Sequence, residues 1–114
     1  MANSRNLNHV IEGYVAQIKK VLGSDFIRAY VYGSYARGEY DDKNESDLDI
    51  VIFTHRPAAE FYLLVNEIAE ITYEYSVKYD VILSPVFQNQ KQFEHMADVL
   101  PYYQNIQKEG IAVG

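Results

Sequence analysis

The chain has no cysteine, so neither a disulfide framework nor a thiolate metal centre can form. It also lacks any apolar run approaching the length of a membrane span. Its N-terminus, MANSRNLNHVIEGYVAQ, shows no basic region followed by an apolar core and a small-residue cleavage site. A cytoplasmic address is the default expectation. Positive charge is scarce: 10 Lys and Arg face 16 Asp and Glu, for a net charge of −6, and only Lys19 and Lys20 are adjacent. Because phosphate contacts from Lys and Arg supply most of the affinity for long nucleic acid, direct binding of such a partner is not expected. A small anion carried with a divalent metal is compatible with an acidic chain, since the metal supplies the positive charge. Repeats, linkers and low-complexity segments are absent too, and 114 residues suffice for a single domain, 1–114, with one modest core.

What is present is the composition of an ordinary globular domain, with 48% apolar and 23% charged residues. Eleven tyrosines are many for this length. They suit either half-buried packing or a protein interface.

Apolar residues at Val10, Ile11, Tyr14, Val15, Ile18, Val21 and Leu22 predict a helix over 7–22, with Gly13 its weak point and Gly23 at its C-terminal cap. FIRAYVY, 26–32, reads as a strand with Ile27, Ala29 and Val31 on one face, and Gly33-Ser34 ends it. SYAR opens a short helix, EYDDKNES is a polar loop, and DLDIVIF is a buried strand. Pro57 suits the first position of a helix carrying Phe61, Leu64, Val65, Ile68, Ile71 and Tyr75 and ending near Ser76. YDVILSPVF, 79–87, reads as a third strand with Pro85 at its end. A short helix over KQFEHMADVL follows, then another opened by Pro101, with Gly110 closing it before a frayed tail. The order α-β-α-β-α-β-α-α implies a mixed α/β domain, a small sheet with helices mainly on one side.

The chemistry gathers in GSYARGEYDDKNESDLDIVIF, residues 33–53. Residues two apart in a strand point to the same side, so Asp47 and Asp49 project together while Leu48 and Ile50 face the core. Two carboxylates on one face suit Mg2+, with Mn2+ the alternative, and not a soft metal. Asp80, at the second position of the third strand, joins them if that strand pairs near the start of the second. Three such aspartates are the ligand set of a two-metal site for phosphoryl or nucleotidyl transfer. Gly33 lets the backbone approach a phosphate, and Ser34 adds a hydroxyl at a helix N-terminus. The cation is then magnesium carried with a nucleoside triphosphate.

Arg37, one helical turn beyond Ser34, either reaches phosphate oxygens or pairs with Glu39 or Asp41. Ser46 either contacts a metal ligand or phosphate, or ends the loop. Asp41, Asp42 and Glu45 are most simply loop solvation, and Lys108 a helix-end lysine. His9, His55 and His95 show no metal-ligand spacing and read as structural or solvent-facing.

GSYARGE followed by SDLDIVIF resembles the GSx(n)DxD signature of the nucleotidyltransferase superfamily, whose members share the DNA polymerase beta-like fold. The short length and the ending NIQKEGIAV are similar to minimal nucleotidyltransferases of the MNT type, partners of HEPN-domain proteins in toxin–antitoxin systems. By this resemblance Asp47 and Asp49 would ligate two Mg2+ ions, and Asp80 would hold the ion that activates the acceptor hydroxyl. Gly33 and Ser34 would hold the triphosphate of ATP, and an acceptor oxygen would attack the alpha phosphate with pyrophosphate leaving.

No extra domain is present to grip an acceptor, so a docking partner or a second subunit is the simplest way to hold one. The resulting expectation is an antitoxin that transfers AMP from ATP to a tyrosine of a HEPN-type toxin, as a hetero-oligomer or a homo-oligomer. The alternative is a binding antitoxin that silences its partner by complex formation alone. A third reading, a structural domain whose aspartates are loop ends, predicts no binding of Mg-ATP.

Overall fold

The computed structural model describes residues 7–32, 47–96, 99 and 110–113. The first helix, α1 (Leu7–Leu22), buries Leu7, Val10, Ile11, Tyr14, Val15, Ile18 and Leu22, the row that the helical spacing predicts. Lys19 and Lys20 lie in its last turn, where the helix dipole favours cations. Gly23 follows with φ +57, a left-handed geometry that explains glycine there.

Strand β1 (Phe26–Tyr32) runs antiparallel to β2 (Asp47–Thr54). Phe26 pairs with Thr54 and Arg28 with Phe53, so Ile27 is an extra residue in a bulge. The bulge corrects one expectation: Phe26 packs with the cluster of Ala29 and Val31, whereas Ile27 joins Tyr30 and Tyr32 on the opposite face. In β2, Leu48, Ile50 and Ile52 face the main core as anticipated, and Val51 and Phe53 face the other side.

Pro57 is extended (φ −62, ψ 143) and precedes a 3₁₀ turn, Ala58–Leu64, rather than opening an α-helix. The α-helix proper, α2, is Val65–Tyr79. Leu64 and Ile68 are buried, but Val65 is exposed. The tighter 3₁₀ winding sets a different phase from the 3.6-residue repeat, and Val65 falls outside the core-facing row. The helix also runs past Ser76. It stops at Asp80, whose φ 52 and ψ 53 are left-handed, while the Val81 N–H donates to the Ser76 carbonyl at 3.1 Å. That bond is the six-to-one closure of a Schellman motif, with buried Val81 as its apolar contact.

Strand β3 (Ile82–Asn89) lies parallel to β2 with Asp47 opposite Ile82 and Thr54 opposite Asn89. Pro85 therefore sits inside the strand, not at its end. The sheet order β3-β2-β1-β4 makes β3 an edge, where a missing N–H need not break the ladder. Helix α3 (Gln90–Met96) starts with the Asn89 side chain accepting from the Gln92 N–H at 3.1 Å, an N-cap. The last strand, β4 (Ile111–Val113), pairs antiparallel with β1, Ile111 opposite Val31, where a frayed tail was expected. Three residues carry no periodic signal of their own; β1 supplies the ladder. The short helix at SYAR, the polar loop and the Pro101 helix lie outside the described residues.

The result is a four-stranded mixed sheet with α1 and α2 on one face and α3 on the other. Tyr14 is fully buried under α2, edge-on to Tyr75 at 5.7 Å. Thr72 donates to the Ile68 carbonyl and accepts from the Tyr14 hydroxyl, both at 2.7 Å. Burial pushes the Tyr14 hydroxyl up to about 12, against a smaller lowering by Thr72. The second face packs Phe53 between Tyr30 and Phe93, at 5.9 and 4.5 Å. Most described tyrosines thus serve packing, with Tyr62 and Tyr73 exposed. No helix among the described residues is long and apolar enough to cross a membrane.

One end of the sheet is tied together by polar contacts. The Arg56 guanidinium pairs with Asp25 at 3.0 Å, and its carbonyl accepts from Thr54 Oγ1 and Asn89 Nδ2. The His55 N–H donates to the Asp25 carbonyl at 2.9 Å.

Candidate active site

At the opposite end of the sheet β1 finishes at Tyr32, β2 begins at Asp47 and β3 begins at Ile82. Positions 47 and 49 fall on the strand face of Val51 and Phe53, away from α1 and α2. Asp49 is half-buried. Across the ladder it faces Tyr32 on β1 and Ser84 on β3. Opposed antiparallel residues have Cβ atoms about 5 Å apart, which sets Tyr32 beside Asp49, and Ser84 is its partner in the parallel ladder on the other side. Neither residue was singled out from sequence, because only the register of three strands shows that they meet Asp49.

Asp80 departs from the expected placement. It stands at the same end of the sheet but outside β3, exposed, as the left-handed cap of α2 and two residues ahead of the register partner of Asp47. The helical run through Ser76–Tyr79 outlasts the strand signal, and Asp tolerates the left-handed region that ends it. Among the described residues no three His, Asp or Glu side chains gather into a metal-binding group. Gly33, Ser34, Arg37 and Ser46 lie outside the described residues, as do Glu39, Asp41, Asp42, Glu45 and Lys108. Gly33 directly follows Tyr32 in the chain, and Tyr32 is the register partner of Asp49. His9, His55 and His95 are all exposed.

The donor chemistry fits a hard cation. Two aspartates stand at positions 47 and 49 at the head of one strand, with a serine and a tyrosine beside Asp49 and no histidine among its register neighbours. Such oxygen donors suit Mg2+ or Mn2+. A cleft of about 220 Å3 between α1 and β4, lined by Asn8, Glu12, Val31 and Ile111, is on the helix-covered side of the sheet and separate from this face.

Fold and site together define an α/β domain with an aspartate pair at the head of an inner strand. The nucleotidyltransferase domain family matches residues 15–113, and the chain belongs to that family. It is a nucleotidyltransferase, an enzyme. A Methanocaldococcus jannaschii protein bearing the name "Putative protein adenylyltransferase" is 35% identical over 78 residues, 68% of this chain and 74% of that relative. Among solved structures, a toxin-antitoxin crystal structure with AMP-PNP superposes with a TM-score of 0.52 at 14% identity, covering 89% of this chain and 70% of that one. A mutant of the toxin-antitoxin MntA-HpeT gives 0.52 at 12% identity, with the same coverage of both chains. At these identities the likeness establishes the fold.

Proposed function

We propose that this chain is a Mg2+-dependent adenylyltransferase that moves AMP from ATP to a tyrosine hydroxyl of a HEPN-type toxin, acting as its cytoplasmic antitoxin. The observation that carries the reading is the placement of Asp47 and Asp49 at the head of β2, beside the strand that leads into Gly33-Ser34. The name of the Methanocaldococcus relative supports adenylyl transfer, and the toxin-antitoxin neighbour with AMP-PNP supports a nucleotide substrate and a toxin partner.

In the proposed reaction the acceptor oxygen bonds to the α-phosphorus of ATP. The bond from that phosphorus to the bridging oxygen breaks, and pyrophosphate leaves with the electron pair. The Asp47 and Asp49 carboxylates would hold two Mg2+ ions, with Mn2+ the alternative, and these would supply neutralisation of charge on the attacking and leaving oxygens. Gly33 offers close backbone approach to the triphosphate, Ser34 a hydroxyl donor, and Arg37 and Ser46 further donors to phosphate oxygens. Asp80, exposed at the same end of the sheet, takes the acceptor proton. Tyr32 and Ser84 orient Asp49 from either side.

The test is the intact mass of a HEPN-domain protein encoded beside this chain, after incubation with the chain and Mg-ATP. A gain of whole AMP units, absent with Asp49→Asn, is the expected result. An unchanged mass with the toxin bound and silenced would replace this reading by a binding antitoxin.

A further inference from the structure

The backbone of Asp80 joins two elements. Its φ of 52 and ψ of 53 close α2, and among the described residues it is the only one other than glycine with a positive φ. A side chain there carries strain that glycine does not. The residues that follow are already in strand phase: Val81 and Leu83 are buried in the main core with Leu48, while Ile82 pairs with Asp47 and Ser84 with Asp49. By the alternation of a strand, position 80 in an extended backbone falls on the face of positions 82 and 84, which is that of Asp47 and Asp49. The left-handed torsions of Asp80, not the phase of the residues after it, keep it out of β3.

Opposing effects act on this residue. The Val81 N–H donates to the Ser76 carbonyl at 3.1 Å, and Tyr79 anchors the last turn of α2, its ring 5.7 Å from that of Tyr75 and 5.3 Å from the Lys78 ammonium. Against these contacts stands the left-handed strain, and helix ends open more easily than helix centres. Strands lie about 4.8 Å apart and rise about 3.3 Å per residue, so an extended Asp80, one strand across and two residues along, has its Cα roughly 8 Å from that of Asp47. Aspartate side chains at that spacing can converge on one cation, whereas in the cap position no three His, Asp or Glu side chains gather among the described residues. We infer that the α2 cap is a two-position device: in one position Asp80 caps the helix, and in the other, favoured by a divalent cation at Asp47 and Asp49, it turns extended, lengthens β3 and adds its carboxylate to theirs.

The inference rests on the reading that Asp47 and Asp49 hold Mg2+, and it adds that the site is completed by a change of backbone. Three carboxylates repel one another unless a cation lies between them, so the cap keeps the third acid apart until the cation arrives. Cation binding and loosening of the last turn of α2 are then linked, each favouring the other by the same factor.

The test is NMR spectroscopy of the full, isotope-labelled chain with Mg2+ and α,β-methylene-ATP, whose bridging carbon prevents transfer of AMP. On addition of both, the Asp80 backbone shifts should move from left-handed to extended values, and the Tyr79 amide should exchange at least about tenfold faster. The analogue with EDTA should produce neither change. Asp80→Asn, which tolerates the left-handed region but carries no charge, should hold the cap when Mg2+ and the analogue are present. Val81→Pro removes the N–H that bonds Ser76 and disfavours helical torsions at Asp80, so it should lower the Mg2+ concentration for half-saturation at least about threefold. Should that variant fail to fold by circular dichroism, the wild-type spectra decide alone. Shifts at Asp47 and Asp49 with Asp80 still left-handed would overturn the inference and leave the metal site standing. An extended Asp80 before Mg2+ is added would also overturn it. No shift at any of the three aspartates would remove the metal site, and the inference with it.

Discussion

Asp80 connects the fold to the proposed chemistry, and two substitutions there separate its roles. Its backbone is left-handed, at φ 52, where a side chain is strained and glycine is not. Asp80→Gly and Asp80→Ala both remove the carboxylate and whatever it touches, so their difference isolates the backbone. A residue with a Cβ costs roughly 1–2 kcal/mol in that region. Glycine returns about 0.4–1 kcal/mol of that through its freer unfolded chain. The glycine variant should therefore be more stable than the alanine variant by about 1 kcal/mol. For 114 residues the unfolding entropy is on the order of 0.24 kcal/mol/K, so the Tm values should differ by about 4 °C. Thermal unfolding followed by circular dichroism measures this directly. Transfer of label from α-labelled ATP should fall on the order of 100-fold in both variants, since neither can accept the proton. Equal Tm values would refute the left-handed cap. Full activity in either variant would remove Asp80 from the reaction while leaving the cap intact.

Asp49→Asn should lower adenylyl transfer by at least about 100-fold with the circular dichroism spectrum unchanged, because it withdraws a charged oxygen ligand without changing side-chain size; retained transfer would relocate the site. Asn89→Ala removes both the bond to the Arg56 carbonyl and the cap of α3, at 3.0 and 3.1 Å, and should cost about 1–2 kcal/mol in denaturant unfolding. Tyr14 has a folded-state value raised from 10.0 to about 12, so its contribution is complete below pH 10 and lost as pH rises towards 12. The wild type should lose up to about 3 kcal/mol across that window. Tyr14→Phe, destabilised by about 1 kcal/mol at neutral pH through loss of the Thr72 bond, should lack that alkaline decline. A parallel decline in both proteins would show that another group governs it.

Much of the fold was legible because the periodic signals are long. Helix α1 and strand β1 have the extents their patterns predict, and β2 runs one residue further, to Thr54. The errors fall where two local signals compete. Around residues 76–82, helix propensity carries α2 to Tyr79, and a left-handed aspartate does the work usually left to glycine, so Asp80 leaves the strand to which its neighbours belong. Pro85 reads as a strand end because a proline in a central strand would break the ladder; only the sheet order shows that β3 is an edge. The bulge at Ile27 changes which face a side chain takes, and one extra residue leaves no mark in composition.

The sequence by itself determined the family. The spacing of Asp47 and Asp49 on an apolar strand and the Gly33-Ser34 that precedes it carry the resemblance to nucleotidyltransferases before any coordinate is known, and the family match over residues 15–113 agrees. Such spacings are local, and backbone periodicity alone converts them into geometry. Tertiary structure decided what surrounds the pair: Tyr32 and Ser84 beside Asp49, Asp80 on a helix cap, β4 closing the sheet, and a groove between α2 and β3. Each of these depends on pairing between residues far apart in the chain, where register and crossing fix the neighbours and no short stretch of sequence encodes them.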